Sequence, residues 1–215
     1  MGEFDLAVVG SGLLPGLLAL HLARRDPDRS VLLLMEDRNA GGDALELIAE
    51  RSLSPAARDL LDPLVVASWP AFLVIRGGET VRREEPVLLV DPVQLWLELG
   101  DLLPAGHMLP GCTGLTVDGT RLTWEGGMAT ARKTVDLTPL AEPVGPVELI
   151  GMDAVRSLAL PVLADLDTGD PQWNAFQHIP LGDERIYIRK RACKGDPEAN
   201  LTGRFGRILS ELLSD

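Results

Sequence analysis

An α/β fold is predicted for this chain of 215 residues, on three observations. Residues 6–9 (LAVV) form an apolar run that stops at Gly10-Ser11-Gly12, and Gly16 follows within a stretch of helical patterning. A second apolar run, residues 31–35 (VLLLM), closes on Glu36. Beyond residue 106 the chain turns into short apolar stretches separated by Asp118-Gly119 and Gly126-Gly127, the pattern of a β-meander.

Residues 4–36 read as one βαβ unit. Leu13, Leu14, Leu17, Leu18, Leu20 and Leu22 supply the apolar helix surface. Pro15 falls in the first turn, where a missing N–H costs little, and Arg24 and Arg25 suit the negative helix end. Asp26-Pro27-Asp28 predicts the turn into the second strand. Asn39-Ala40-Gly41-Gly42 is a further glycine turn. Ser54 as cap and Pro55 as first residue predict a helix with Leu60, Leu61, Leu64 and Val65 on one face. Residues 72–75 and 86–90 read as strands around a Gly77-Gly78 hairpin. Asp91-Pro92 starts a helix to about residue 103.

The meander is expected over about 106–131, followed by a short strand at 134–137. Pro139, Pro143 and Pro146 mark a linker. Antiparallel strands are expected at 147–152, 159–165, 174–180 and 185–191. An amphipathic helix near 198–213 carries Leu201, Phe205, Ile208, Leu209 and Leu212 on one side. The expected domains are therefore 1–146, Rossmann-like with its meander, and 147–215, a reduced antiparallel β section with a final helix.

A net charge of -12 argues against nucleic-acid partners, because an acidic surface repels phosphate backbones. The two cysteines, Cys112 and Cys193, match no metal or redox spacing and read as reduced thiols, which points to a cytoplasmic protein. The acidic start MGEFD is unlike a secretory signal. No apolar run approaches the ~20 residues of a membrane span, so no transmembrane segment is expected.

The glycine turn carries the chemistry. A helix start offers backbone N–H groups and the positive end of the peptide dipoles to an anion. Gly10 allows the turn, Gly12 lets the backbone approach a pyrophosphate, and Gly16 is expected to let helix and strand pack closely. Glu36 stands where a ribose hydroxyl needs an acceptor. A dinucleotide site is thus predicted on Gly10, Ser11, Gly12, Gly16 and Glu36. The competing reading is an ordinary strand–turn–helix of an α/β domain.

The segment DLAVVGSGLLPGLLALHLARRDPDRSVLLLMEDRNAGG resembles the N-terminus of bacterial lycopene β-cyclases, FAD-dependent enzymes of carotenoid synthesis. The likeness continues through LSPAARDLLDPLVVASWPAF and returns faintly at residues 160–163 and 179–183. It implies an FAD-dependent-oxidoreductase-type Rossmann core with a β-meander and a smaller antiparallel β section. It implies FAD on Gly10, Gly12 and Gly16, Glu36 on the adenosine ribose, and Gly41 and Gly42 near the flavin phosphates.

Three departures from that pattern bear on activity. The family follows its Gly-Gly with a polar and aromatic stretch, where this chain has Asp43-Ala44-Leu45-Glu46-Leu47-Ile48. The family's late acidic motif follows an apolar strand, and here that strand, Arg185-Ile186-Tyr187-Ile188, runs into Arg189-Lys190-Arg191. The family is also longer, so a reduced form is expected. An arginine cannot donate a proton to a polyene at neutral pH, and it repels a developing carbocation. The resulting expectation is a catalytically degenerate FAD or adenine-nucleotide binder. The alternatives are an active flavin-dependent cyclase completed by a partner chain, and a cofactor-free scaffold.

The basic cluster Arg189–Arg191, with Lys194, and the final helix are candidate contacts for a protein partner or, peripherally, a membrane surface. His21, His107 and His178 read as structural. The carboxylates Glu84-Glu85 and Asp165…Asp167 read as solvated. Gly169-Asp170 reads as a surface turn, and the four tryptophans as packing residues.

Overall fold

The computed structural model describes residues 2–10, 12–36, 38, 46–76, 79–138, 162–164, 176–181, 184–189 and 204–213. Strand β1 (Gly2–Gly10) becomes progressively apolar and is buried from Leu6 onward. Helix α1 (Leu13–Arg25) buries nine of its residues, among them Pro15 and Gly16, and β2 (Val31–Met35) is buried throughout. Two such unbroken apolar strands suit a parallel sheet covered on both faces. The pairing is parallel, with Leu6 opposite Val31 and Gly10 opposite Met35.

Helix α3 (Pro92–Leu102) and the short β8 (Met108–Leu109) continue this sheet. Between β2 and α3 lie β3 (Glu46–Ala49), α2 (Pro55–Leu61), β4 (Val65–Trp69), β5 (Phe72–Arg76), β6 (Glu79–Arg83) and β7 (Val87–Val90). After β8 come β9 (Thr116–Asp118), β10 (Arg121–Trp124) and β11 (Gly127–Asp136). Six strands run in the order β8-β2-β1-β11-β10-β9. β8, β2, β1 and β11 are mutually parallel, whereas β9, β10 and β11 form an antiparallel meander. The expected meander and the expected strand at 134–137 are thus one continuous element: β11 leaves the meander and runs beside β1. Ala7, Val9, Leu32, Leu34, Cys112, Leu122, Ala129 and Ala131 form a continuous core on this sheet.

These elements make one compact unit, Met1–Asp43 with Pro92–Glu142. The second unit is Ala44–Asp91 with Pro143–Asp215. Residues 44–91 therefore cluster with the C-terminal part, where the sequence reading placed them with the N-terminal part. Within the second unit β7 is the centre of a sheet β3-β7-β4, and β5 pairs with β6 and with β12 (Val162–Ala164). β13 (Phe176–Leu181) and β14 (Glu184–Arg189) form a hairpin, and α4 spans Arg204–Leu212.

Two expectations change here. The hairpin partner of β5 is β6, not residues 86–90; β6 reads ETVRR and carries no apolar signature, whereas the wholly buried β7 pairs elsewhere. Leu64 and Val65 continue the apolar spacing of α2, but Pro63 follows it and the chain turns into β4. The strand expected at 147–152 lies outside the described residues. Ser54 does cap α2, its hydroxyl accepting from Ala57 N–H at 3.3 Å.

Candidate functional site

The carboxyl end of the parallel sheet carries Gly10 and, just past the next strand, Glu36, with Gly12 opening α1. Because Gly10 is level with Met35, the glycine turn and Glu36 emerge at the same edge from adjacent strands. Ligands of open α/β sheets bind outside this edge. Glu36 is exposed and lies one residue beyond β2. Ser11, Gly41 and Gly42 lie outside the described residues.

The glycines do different work. Gly12 caps α1 with φ 79° and ψ -161°, a region that only glycine enters readily. Among the described residues no atom lies within 4 Å of the place where its Cβ would stand. Gly10, at φ +155°, is enclosed instead: a Cβ would meet Pro15 Cγ at 2.8 Å and Leu137 Cβ at 3.1 Å. Gly16 differs from expectation. Its absent Cβ makes room for Leu95 Cδ2 at 2.7 Å and Leu99 Cδ1 at 3.5 Å. Both leucines belong to α3, so this glycine serves a helix–helix approach and not helix–strand packing. An exposed Arg24–Glu98 pair, 2.6 Å apart, joins the same two helices.

Sequence reasoning missed Pro15 and Leu137 as parts of this edge. The spacing Gly10-x-Gly12-x-x-x-Gly16 is one residue longer than the usual dinucleotide fingerprint, and Pro15 holds the position of the third glycine. That signal was present in the sequence. Leu137 follows β11, is buried, and donates its N–H to Val9 O at 2.7 Å. Asp136 lies level with Val9 and accepts from Thr138 N–H at 2.9 Å and from its hydroxyl.

The opposite edge of the sheet is a polar clamp. Asp5 accepts from Ser30 N–H at 3.1 Å and Ser30 Oγ at 3.0 Å, and Arg132 approaches it at 3.2 Å. The Ser30 backbone N–H, then its hydroxyl, hold the Asp5 carboxyl below the usual aspartate range. A shallow cleft of about 390 Å³ there mixes Asp26 and Asp28 with Arg29, Arg132 and Lys133, a charge pattern that selects no ligand sign.

The remaining candidates resolve as follows. His107 Nδ1 donates to Val31 O at 3.0 Å and its ring meets Phe4 edge-on, a structural role. Partial burial, with Arg25 nearby, pushes the His21 pKa down. Burial pushes the Cys112 thiol up, and its Sγ donates to Leu109 O at 3.3 Å. Glu84 is exposed and accepts from Arg82 at 2.6 Å, but Glu85 is buried, against expectation, where it pairs with Arg51. It starts the turn into β7, whose enclosure carries it inward. Asp165, Asp167, Gly169, Asp170, Lys190, Arg191 and Cys193 lie outside the described residues; Arg189 ends β14. Among the described residues no cluster of three or more His, Cys, Asp or Glu could hold a metal. Also among them, no helix is long and apolar enough to cross a membrane.

The topology is that of an α/β protein: a βαβ start in a largely parallel sheet, an antiparallel β-meander on that sheet, and smaller sheets of which one is mixed. No protein-family model matches the chain. The chain is distantly similar to curated lycopene β-cyclases. The chain is 26% identical over 232 aligned residues to a lycopene β-cyclase of Pseudescherichia vulneris, covering 98% of this chain and 56% of that protein. It is 37% identical over 72 residues to the lycopene β-cyclase of Pantoea ananas, covering 34% and 19% respectively. The chain thus spans little more than half the length of the first relative. Among solved structures it is similar to the substrate-free form of the rebeccamycin biosynthetic enzyme, at 14% identity and TM-score 0.45, over 93% of this chain and 50% of that one. It is also similar to the peptidyl tryptophan dihydroxylase QhpG, at 20% identity and TM-score 0.41, over 63% and 32%.

Proposed function

We propose that this chain binds FAD, or the adenine nucleotide portion of it, at the carboxyl edge of its parallel sheet and acts through binding. The observation that carries the reading is Gly12: its backbone conformation favours glycine and its Cβ position is clear of the described residues, at the start of a 13-residue helix, while Glu36 leaves the adjacent strand at the same end of the sheet. These residues fit a dinucleotide. The Gly10–Gly12 turn and the first N–H groups of α1 would face the pyrophosphate, and Glu36 would accept from a ribose hydroxyl. Similarity to lycopene β-cyclases over almost the whole chain supports FAD as the form bound. When bound, FAD would supply redox or electrostatic chemistry at its isoalloxazine ring.

Catalytic degeneracy is part of the proposal. Residues 189–191 read Arg-Lys-Arg where the resembling family carries its acidic motif. Guanidinium and ammonium groups are poor proton donors at neutral pH and disfavour a carbocation nearby.

The test is flavin absorbance of gently purified protein, together with thermal melts in added FAD and ADP. A bound ligand at a hundred times its Kd stabilises by about 2.7 kcal/mol. Absence of flavin, with melts unmoved by either compound, would refute the cofactor part. Cyclic carotenoid formed in a lycopene-accumulating host would refute the degeneracy part.

A further inference from the structure

We infer that Pro15 and Leu137 are positioning residues that set the shape of the glycine turn for its nucleotide; this rests on the binding reading above. Gly10 is the last residue of β1, and its φ of +155° is tolerated because it has no Cβ. The volume a Cβ would need is already occupied. Pro15 Cγ stands 2.8 Å from that point, Leu137 Cβ 3.1 Å, and the Leu137 carbonyl carbon 3.3 Å. The turn is therefore gripped from two directions by atoms of its own unit.

Each jaw is itself fixed. Pro15 is buried in the first turn of α1, and its ring removes the φ freedom that another residue would keep there. Leu137 is 4% exposed and is tied to β1 through its N–H and Val9 O at 2.7 Å. The parallel pairing of β11 with β1, which sets Asp136 level with Val9, delivers Leu137 to this point. Gly12, two residues on, has open space where its Cβ would be. The turn is thus clamped at Gly10 and presented at Gly12. A binding loop works best when its conformation is held before the ligand arrives, because the ordering cost is then already met by the fold.

The proline is the sharper probe. Pro15→Ala removes the Cγ contact but leaves a good helix former in a first turn, so the fold is retained. Leu137→Ala keeps Cβ but removes the buried side chain that holds it in place. Leu122→Ala, in the same unit and 0% exposed, truncates the core at β10, away from the turn. The readouts are the Kd of ADP by calorimetry on the full chain and the melting temperature of each variant.

Pro15→Ala and Leu137→Ala are each expected to weaken ADP roughly tenfold. The double variant should lose less than the product of the two, since both act on Gly10. Leu122→Ala should lower the melting temperature and leave Kd unchanged. Restoring bulk with Leu137→Met should recover most of the affinity. If the unaltered chain binds ADP and Pro15→Ala binds it equally well, the positioning role is wrong and the binding reading stands. If the unaltered chain does not bind ADP, both fail.

Discussion

Replacing Gly12 by alanine separates backbone strain from steric conflict. At φ 79° and ψ -161° an L-residue is strained by about 1–3 kcal/mol. No atom of the described residues lies within 4 Å of the new methyl, so they add no packing penalty to this. For a chain of this size, 2 kcal/mol corresponds to a fall in melting temperature of roughly 4–8 °C. The helix start gains no cap, since alanine offers none. The methyl would, however, occupy the space through which a pyrophosphate reaches the backbone. Gly12→Ala should therefore lose about 1–3 kcal/mol in urea unfolding and nearly all affinity for ADP in calorimetry. A variant of unchanged stability would mean that the strained angle is not maintained. A variant that is destabilised but binds ADP as before would mean that the nucleotide does not approach at Gly12.

Other predictions concern the scaffold. Gly16→Leu should cost about 1–3 kcal/mol by overpacking α1 against α3, and Leu95→Ala in the same chain should return part of it, measured as a double-mutant cycle. Arg51→Ala leaves the buried Glu85 carboxylate without its partner and should cost about 1–3 kcal/mol in chemical unfolding, more than the Arg51→Ala/Glu85→Gln pair. The Asp5 carboxyl sits below its ordinary value of 3.8 because Ser30 donates to it. Its contribution is present above that unfolded-state value and is lost as pH falls through the lower folded-state value. The unaltered chain should exceed Asp5→Asn in stability at neutral pH, and the two should converge in acid; a gap that persists unchanged into acid would contradict this.

What was legible in the sequence is what local pattern controls. β1, α1 and β2 announce themselves because both strands are buried on both faces and the turn between them needs glycine. Ser54-Pro55 and Asp91-Pro92 mark helix starts by capping chemistry and proline's fixed φ. β6 was hidden because ETVRR carries charge at an edge, where pairing and not burial makes the strand. The end of α2 was obscured because Leu64 and Val65 happen to continue its apolar spacing. The grouping of residues 44–91 with the second unit depends on β5 pairing with β12 and on the Ser54 N–H donating to Ser210 Oγ in α4, links that no local window contains. Gly16 is visible as a glycine, but its partners Leu95 and Leu99 come from a distant helix. Leu137 is visible as the end of a short apolar stretch, but only the parallel run of β11 beside β1 brings it to Gly10.

The two glycines of the turn therefore weigh differently as signs of function. Gly10 is needed by the fold itself: any Cβ there clashes with Pro15 and crowds Leu137, with or without a nucleotide. Its presence supports the turn and says little about a ligand. At Gly12 no atom of the described residues stands in the way of a side chain, and the positive φ favours glycine. A fold free of any ligand requirement could relax that angle and accept the commoner cap residues, serine or aspartate, which stabilise a helix start by about 1 kcal/mol over alanine. Against glycine that gain shrinks to about a few tenths of a kcal/mol, so the helix loses little by keeping glycine there. The comparison is measurable. Gly10→Ala should lose stability and binding together, whereas Gly12→Ser should regain through capping part of the stability lost to strain and still fail to bind ADP. Recovery of ADP affinity in Gly12→Ser would show that the open approach at this residue is not what admits the nucleotide.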